Sequence, residues 1–144
     1  MHSSSTNIGA FIRTATPEGD LQGYAPAAAA AGTSFGPAFT YDGAKSCTLA
    51  ASTGAADGGP TTQSCAISLQ SALPTGSTWV DVPDSTVTLT EDSVAGEVDV
   101  NLTLLTSGHS RLRTKVVRAF TGGTAPEQAV AAVVALGGFS EFPV

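Results

Sequence analysis

Apolar and polar residues alternate along short stretches of this chain, the spacing of half-buried β-strands. In 46–52 the residues Cys47, Leu49 and Ala51 share one side, and in 62–70 Cys65, Ile67 and Leu69 do the same. Two shorter stretches, 79–82 and 86–90, are split by Pro83-Asp84-Ser85, a turn cluster whose proline is barred from a central ladder. The clearest alternation covers 97–106, with Val98, Val100, Leu102 and Leu104 on one side and Glu97, Asp99, Asn101 and Thr103 on the other. A further strand is expected over 111–120, beyond Ser107-Gly108-His109-Ser110. If these two strands form a hairpin, burial of one face sets Leu104 opposite Leu112 and Val100 opposite Val116, through a loop that uses Gly108. Val116-Val117 interrupts the alternation and predicts a bulge.

The chain closes on a different pattern. Thr124-Ala125-Pro126-Glu127 reads as a capping box with proline in the first turn, and Gly137 stands where a left-handed C-cap belongs. Between them, 129–136 holds no polar residue. This punctuation predicts an α-helix over 125–136 that is apolar all round and must therefore be buried. The tail adds Phe139, Phe142 and Val144. A domain this small cannot surround both helix and tail. Val130, Val133, Val134, Leu136, Phe139, Phe142 and Val144 are accordingly assigned to contacts with other subunits.

No period is sustained before residue 46. Pro17, Pro26 and Pro37 punctuate a glycine-rich segment, and the alanine run 27–31, bracketed by Pro26 and Gly32, is too short for a stable isolated helix. Residues 1–45 read as an extended arm that orders on a partner, with Phe11, Ile12 and Phe35 suited to pockets on another surface. The expected fold is mainly β: a compact antiparallel sandwich in 46–144, the long N-terminal arm and one C-terminal helix.

Composition narrows the function. Ala, Thr, Gly and Ser make up half of the 144 residues, whereas Leu, Ile, Val and Phe are about one in five. Charged residues are 12%, against a typical ~25%, so polarity comes from hydroxyls and backbone. That balance argues against a polyelectrolyte and against an ordinary enzyme surface. The net charge of −6 argues against a dedicated nucleic-acid binder. No run approaches the ~18–20 apolar residues of a membrane span, and the first residues lack the basic and apolar regions of a signal peptide. The chain reads as made in the cytoplasm, with no membrane partner.

Candidate chemistry is sparse. Gly32-Thr33-Ser34-Phe35-Gly36 matches G-x-S-x-G, with Asp42 and His109 following in hydrolase order, but the strand before and helix after that a nucleophile elbow needs are missing. No catalytic residue is assigned, and His109 is read as a solvated turn residue. Asp81, Asp84, Glu91, Asp92, Glu97 and Asp99 cluster without EF-hand spacing, and nitrogen and sulfur ligands are too few for a zinc site. No metal or cofactor is expected. Cys47 and Cys65 read first as small buried apolar side chains, with a disulfide between adjacent strands of one hairpin as the alternative. Arg111, Arg113, Lys115 and Arg118 are four of the six cations, three of them alternating along one strand face. They suggest a polar subunit interface, or a weak phosphate contact diluted by Glu97 and Asp99. No aromatic residue interleaves with them in sequence to stack bases.

The arm, the small β domain, the scarcity of charge and the lack of a candidate active site together resemble the small virion structural proteins of bacteriophages. That resemblance implies a non-enzymatic subunit of a symmetric particle, made in host cytoplasm and residing in the virion, whose partners are its own copies and a major capsid protein. Its leading form is a capsid decoration (cement) protein that staples neighbouring capsomers through the arm and the apolar C-terminal segment. A coat protein, or a tail-tube or connector subunit, is the alternative within the class. Strands ending in a capped helix are also similar to the coat proteins of single-stranded RNA phages, against which the acidic balance counts. From another class, the alternative is a small cytosolic binding or inhibitor module, expected to be monomeric.

Overall fold

The computed structural model describes residues 13–14, 24–41 and 43–138. Eleven strands, all paired antiparallel, form two sheets. In the first sheet, β11 (Glu127–Gly137) lies between β5 (Ser46–Asp57) and an edge made of β1 (Arg13–Thr14) and β2 (Tyr24–Ala29), and β9 (Ala95–Val100) closes the far side of β5. In the second, β10 (Arg111–Thr121) pairs on one side with β3 (Gly32–Phe35) and β4 (Phe39–Thr40). On its other side lies β6 (Thr62–Ala72), which carries β7 (Val80–Asp81) and β8 (Val87–Leu89) on its far edge.

Merging β3 with β4 and β7 with β8, and setting aside the two-residue β1, leaves eight strand runs. Numbered in chain order, the first sheet reads 1-8-3-6 and the second 2-7-4-5. Every connection crosses between the sheets except the one from β6 to β7. This is the strand order of a jelly roll, two interlocked Greek keys closed face to face.

Alternation builds the core. Cys47, Leu49 and Ala51 of β5 face Cys65, Ile67 and Leu69 of β6, joined by Val87 and Leu89 of β8, Leu112 and Val116 of β10, and Val130, Ala132, Val134 and Leu136 of β11. These strands thus bury alternate residues over most of their length, as aligned sheets ~10 Å apart require, and the end of β6, from Leu69 to Ala72, is buried on both sides.

Four expectations are corrected here. The helix over 125–136 is the strand β11, with Gln128, Val130, Ala132, Val134 and Leu136 buried and residues between them turned outward. Its alternation is hidden in the sequence because the outward positions are Ala129, Ala131, Val133 and Ala135, apolar as well. The apparent capping box is a turn locked onto the β5–β6 connection: the Thr124 N–H donates to the Gly58 carbonyl at 2.8 Å. Gly58 (φ +79) and Gly123 (φ +79) permit that approach, since a Cβ on Gly123 would stand 2.6 Å from the Gly58 oxygen.

The second correction shortens the arm. Residues 24–41 supply β2, β3 and β4, which edge both sheets, so the boundary at 45 does not separate an arm from a domain. Third, 97–106 and 111–120 are not a hairpin. β9 stops at Val100 and pairs with β5 (Val98 with Leu49), whereas β10 pairs with β6 (Val116 with Ile67). Between them a 3-10 turn, Leu102–Leu104, is capped by Asn101, whose side chain accepts from the Thr103 N–H at 3.0 Å. Fourth, Val116-Val117 carries no bulge, since register with β6 is continuous from Arg111–Ala72 to Thr121–Thr62. The alternation looked broken only because Arg118 occupies an inward position.

Candidate functional site

The interior is mainly aliphatic, with Arg118 and Gln128 as its large polar members, so accessible chemistry lies on the outer faces and the rims. On the second sheet, the outward positions of the first half of β10 are Arg111, Arg113 and Lys115, all partly exposed. Folding brings Phe35 of β3 and Trp79, from the loop before β7, onto this stripe. The Arg113 guanidinium carbon lies 3.8 Å from the Phe35 ring centre and 4.3 Å from that of Trp79, sandwiched between two rings. Its Nε donates to Gln70 Oε1 at 2.9 Å, and burial lowers its pKa from the ordinary value. The Arg111 guanidinium carbon lies 5.1 Å from the Trp79 ring centre, and Arg111 pins the 73–76 loop by donating from Nε to the Leu73 carbonyl at 2.9 Å and from Nη2 to the Gly76 carbonyl.

A polar chain supports the stack. Gln70 Nε2 donates to Asp81 Oδ1 at 2.7 Å, and Lys115 Nζ forms an ion pair with Asp81 at 3.0 Å. Those two bonds, Gln70 first, hold the Asp81 carboxyl below its usual range. The three outward cations are therefore held in defined positions. No local pattern pointed to the aromatic partners, because Phe35 and Trp79 are far from β10 along the chain. The available signal was weaker: the lone tryptophan stands in a loop of small polar residues, without apolar neighbours before Val80.

Arg118 does not belong to the stripe. It points inward with 2% of its surface exposed, its Nε donating to the Gln128 carbonyl at 2.9 Å and its Nη1 reaching Ser34 Oγ at 3.4 Å. Gln128 completes the arrangement, with Nε2 donating to the Gly54 carbonyl at 2.8 Å and Oε1 accepting from the Cys65 thiol at 3.3 Å. Cys47 and Cys65 are free buried thiols in opposite sheets, and no disulfide joins them. Burial, with a smaller contribution from Asp99, pushes Cys47 up to about 12. Cys65 is likewise raised by burial, against a lowering by Arg118.

The G-x-S-x-G constellation does not assemble. Ser34 sits beside Val116, whereas His109 lies before the start of β10, with its Nδ1 2.8 Å from Ser71 Oγ. At strand rise the separation is roughly 20 Å. Asp42 lies outside the described residues. Acidic side chains act locally: Asp92 accepts from the Ala56 N–H at 2.9 Å and from Gln63 Nε2 at 2.6 Å, and Asp99 accepts from Thr48 Oγ1 at 2.7 Å. Among the described residues, no group of three His, Cys, Asp or Glu side chains gathers as metal ligands, and no helix is long and apolar enough to cross a membrane.

The outer face of the first sheet is different in kind. Ala50, Ser52, Ala95, Gly96, Ala131 and Val133 line an open groove of about 500 Å³, with Glu97 on its edge strand. Of the apolar residues assigned to subunit contacts, Phe35 and Val133 are exposed, at 47% and 43%. Val130, Val134 and Leu136 are instead buried in the chain's own core, at 1%, 0% and 1%, because they occupy the inward positions of a strand. Phe11, Ile12, Phe139, Phe142 and Val144 lie outside the described residues.

Neither a protein-family model nor a curated protein sequence matches this chain. Among solved structures, a chain of Desmodium yellow mottle tymovirus is similar over 88% of this chain and 86% of its own, at 11% sequence identity and a TM-score of 0.32. A likeness of that size supports no functional conclusion.

Proposed function

We propose that this chain is a non-enzymatic structural subunit of a virus particle, assembling with copies of itself. The observation that carries the reading is the strand order, 1-8-3-6 over 2-7-4-5. Jelly rolls of this kind serve as viral capsid domains, and also occur in lectins and cupins. A core packed with Leu49, Ile67, Leu69, Leu112 and Val134, each at 0% exposure, supports a building block over a barrel that holds a ligand. The separation of Ser34 from His109 supports a role without catalysis.

Within the class we prefer a shell-forming coat role to decoration. The cement reading drew on an arm over 1–45 and an apolar C-terminal helix as staples. Residues 24–41 of the first and nearly all of the second are spent inside the sandwich, as β2 to β4 and as β11. A coat subunit needs self-complementary outer surfaces more than staples, and both outer faces offer material for contact. Sedimentation velocity of the full chain, expressed alone, tests the reading. A fast, uniform boundary is expected. A boundary that stays monomeric across concentration would favour the binding-module alternative, and particles formed only on addition of a separate shell protein would restore decoration.

A further inference from the structure

We propose that copies of this chain associate head to tail, with the aromatic face around Phe35 on the second sheet of one copy seated in the alanine-floored groove on the first sheet of the next. The inference rests on the structural-subunit reading and names its contact. Phe35, paired with the outward Lys115, stands 47% exposed on the outer face of the second sheet. The Phe35 ring is already held by its stack on Arg113, at 3.8 Å, so little conformational freedom is left to lose on docking. Opposite, the groove of about 500 Å³ is floored by Ala50, Ser52, Ala95, Gly96, Ala131 and Val133, none larger than valine, with Glu97 as its one large lining side chain. A large rigid knob and a groove floored with small residues are complementary in shape.

Charge sets the orientation. Glu97 lines the groove, and Asp99 lies exposed two residues further along the same edge strand. Around the knob stand Arg111, Arg113 and Lys115, with Asp81 bonded to the lysine. Pairing groove with groove would oppose acid to acid, and pairing knob with knob would oppose cation to cation. Only the heterologous arrangement matches both charge and shape. The two faces lie on opposite sides of one sandwich, so no copy can satisfy its own, and the contact propagates until rotation closes it into a ring or shell. Arginine and tryptophan, both present at the knob, are the residues that most often dominate such contacts.

The test uses full-length chains in sedimentation velocity, with near-UV circular dichroism to confirm folding. Phe35→Ala removes the knob and Ala131→Trp fills the groove. Each alone is expected to weaken self-association at least tenfold. An equimolar mixture is expected to form a one-to-one dimer and stop, because the intact groove of one variant takes the intact knob of the other. Glu97→Lys, an exposed change that leaves the core untouched, should weaken association similarly at low salt, and it replaces Ala131→Trp in the mixture if that variant does not fold. Folded variants that associate as tightly as the wild type would overturn the contact while leaving the subunit reading intact. So would a mixture that fails to dimerise while the wild type associates. A wild type that stays monomeric removes both. Binding of a single-stranded oligonucleotide that is lost in Phe35→Ala would assign the aromatic face to nucleic acid instead, and overturn the proposal.

Discussion

Val133 and Val134 are neighbours in β11 that point to opposite sides of the first sheet, one 43% exposed and the other 0%. Truncating each to alanine therefore separates a strand from an apolar helix. Val134→Ala deletes two buried carbons at about 0.8 kcal/mol each, and the cavity left in a packed core brings the loss to roughly 2–3 kcal/mol. Val133→Ala removes carbons already partly in water, at under about 1 kcal/mol. The loss of β-propensity is common to both and cancels in the comparison. Against a net stability of ~5–15 kcal/mol, the Val134 effect is large enough to move a urea midpoint clearly. The assay is equilibrium urea unfolding at a concentration low enough to keep the chain monomeric, so that association adds nothing to apparent stability. The slope should be the same for both variants. Val130→Ala should behave like Val134→Ala, being 1% exposed. Equal losses at 133 and 134, as on a helix buried all round, would refute the alternation on which the jelly roll rests.

Three further outcomes follow from the geometry. Gly123→Ala places a Cβ 2.6 Å from the Gly58 carbonyl at a positive φ, and should lower stability by about 1–3 kcal/mol in a thermal melt, whereas Gly59→Ala, with open space around its Cβ, should cost less. Cys47 and Cys65 should resist a thiol reagent at pH 8 and react fully only in denaturant, since burial raises both above the ordinary 9.0. The folded pKa of Asp81 lies below its ordinary 3.8, so its contribution to stability is present above that value and is lost as pH falls through the lowered one. Asp81→Asn should flatten the acid limb of urea midpoints measured from pH 6 to pH 2, by a small amount because the side chain is 59% exposed.

How much the sequence disclosed depended on whether each element's two faces differ. β5 and β6 were legible because Cys47, Leu49, Cys65, Ile67 and Leu69 alternate with the smaller or polar Thr48, Ala66 and Ser68. β11 was not, because alanine and valine occupy both of its faces, and the Thr-Ala-Pro-Glu turn before it imitates a helix start. Pairing was harder still. Neighbours in the chain were expected to pair, yet a jelly roll sends most successive strands to opposite sheets, and no local feature of 97–120 encodes that. The stripe of Arg111, Arg113 and Lys115 was visible from its spacing. Its partners Phe35 and Trp79 were not, since only long-range pairing carries them there. Arg118 was misplaced for a related reason: a cation within an alternating run was assumed to face water, whereas the Gln128 carbonyl receives it inside.

On the proposed reading this jelly roll builds a virus shell from its own copies, and electron microscopy of the purified chain is the decisive measurement. Closed particles of uniform diameter, formed without a second protein, are expected. A field of dispersed monomers, at concentrations well above those at which the chain folds, would contradict it.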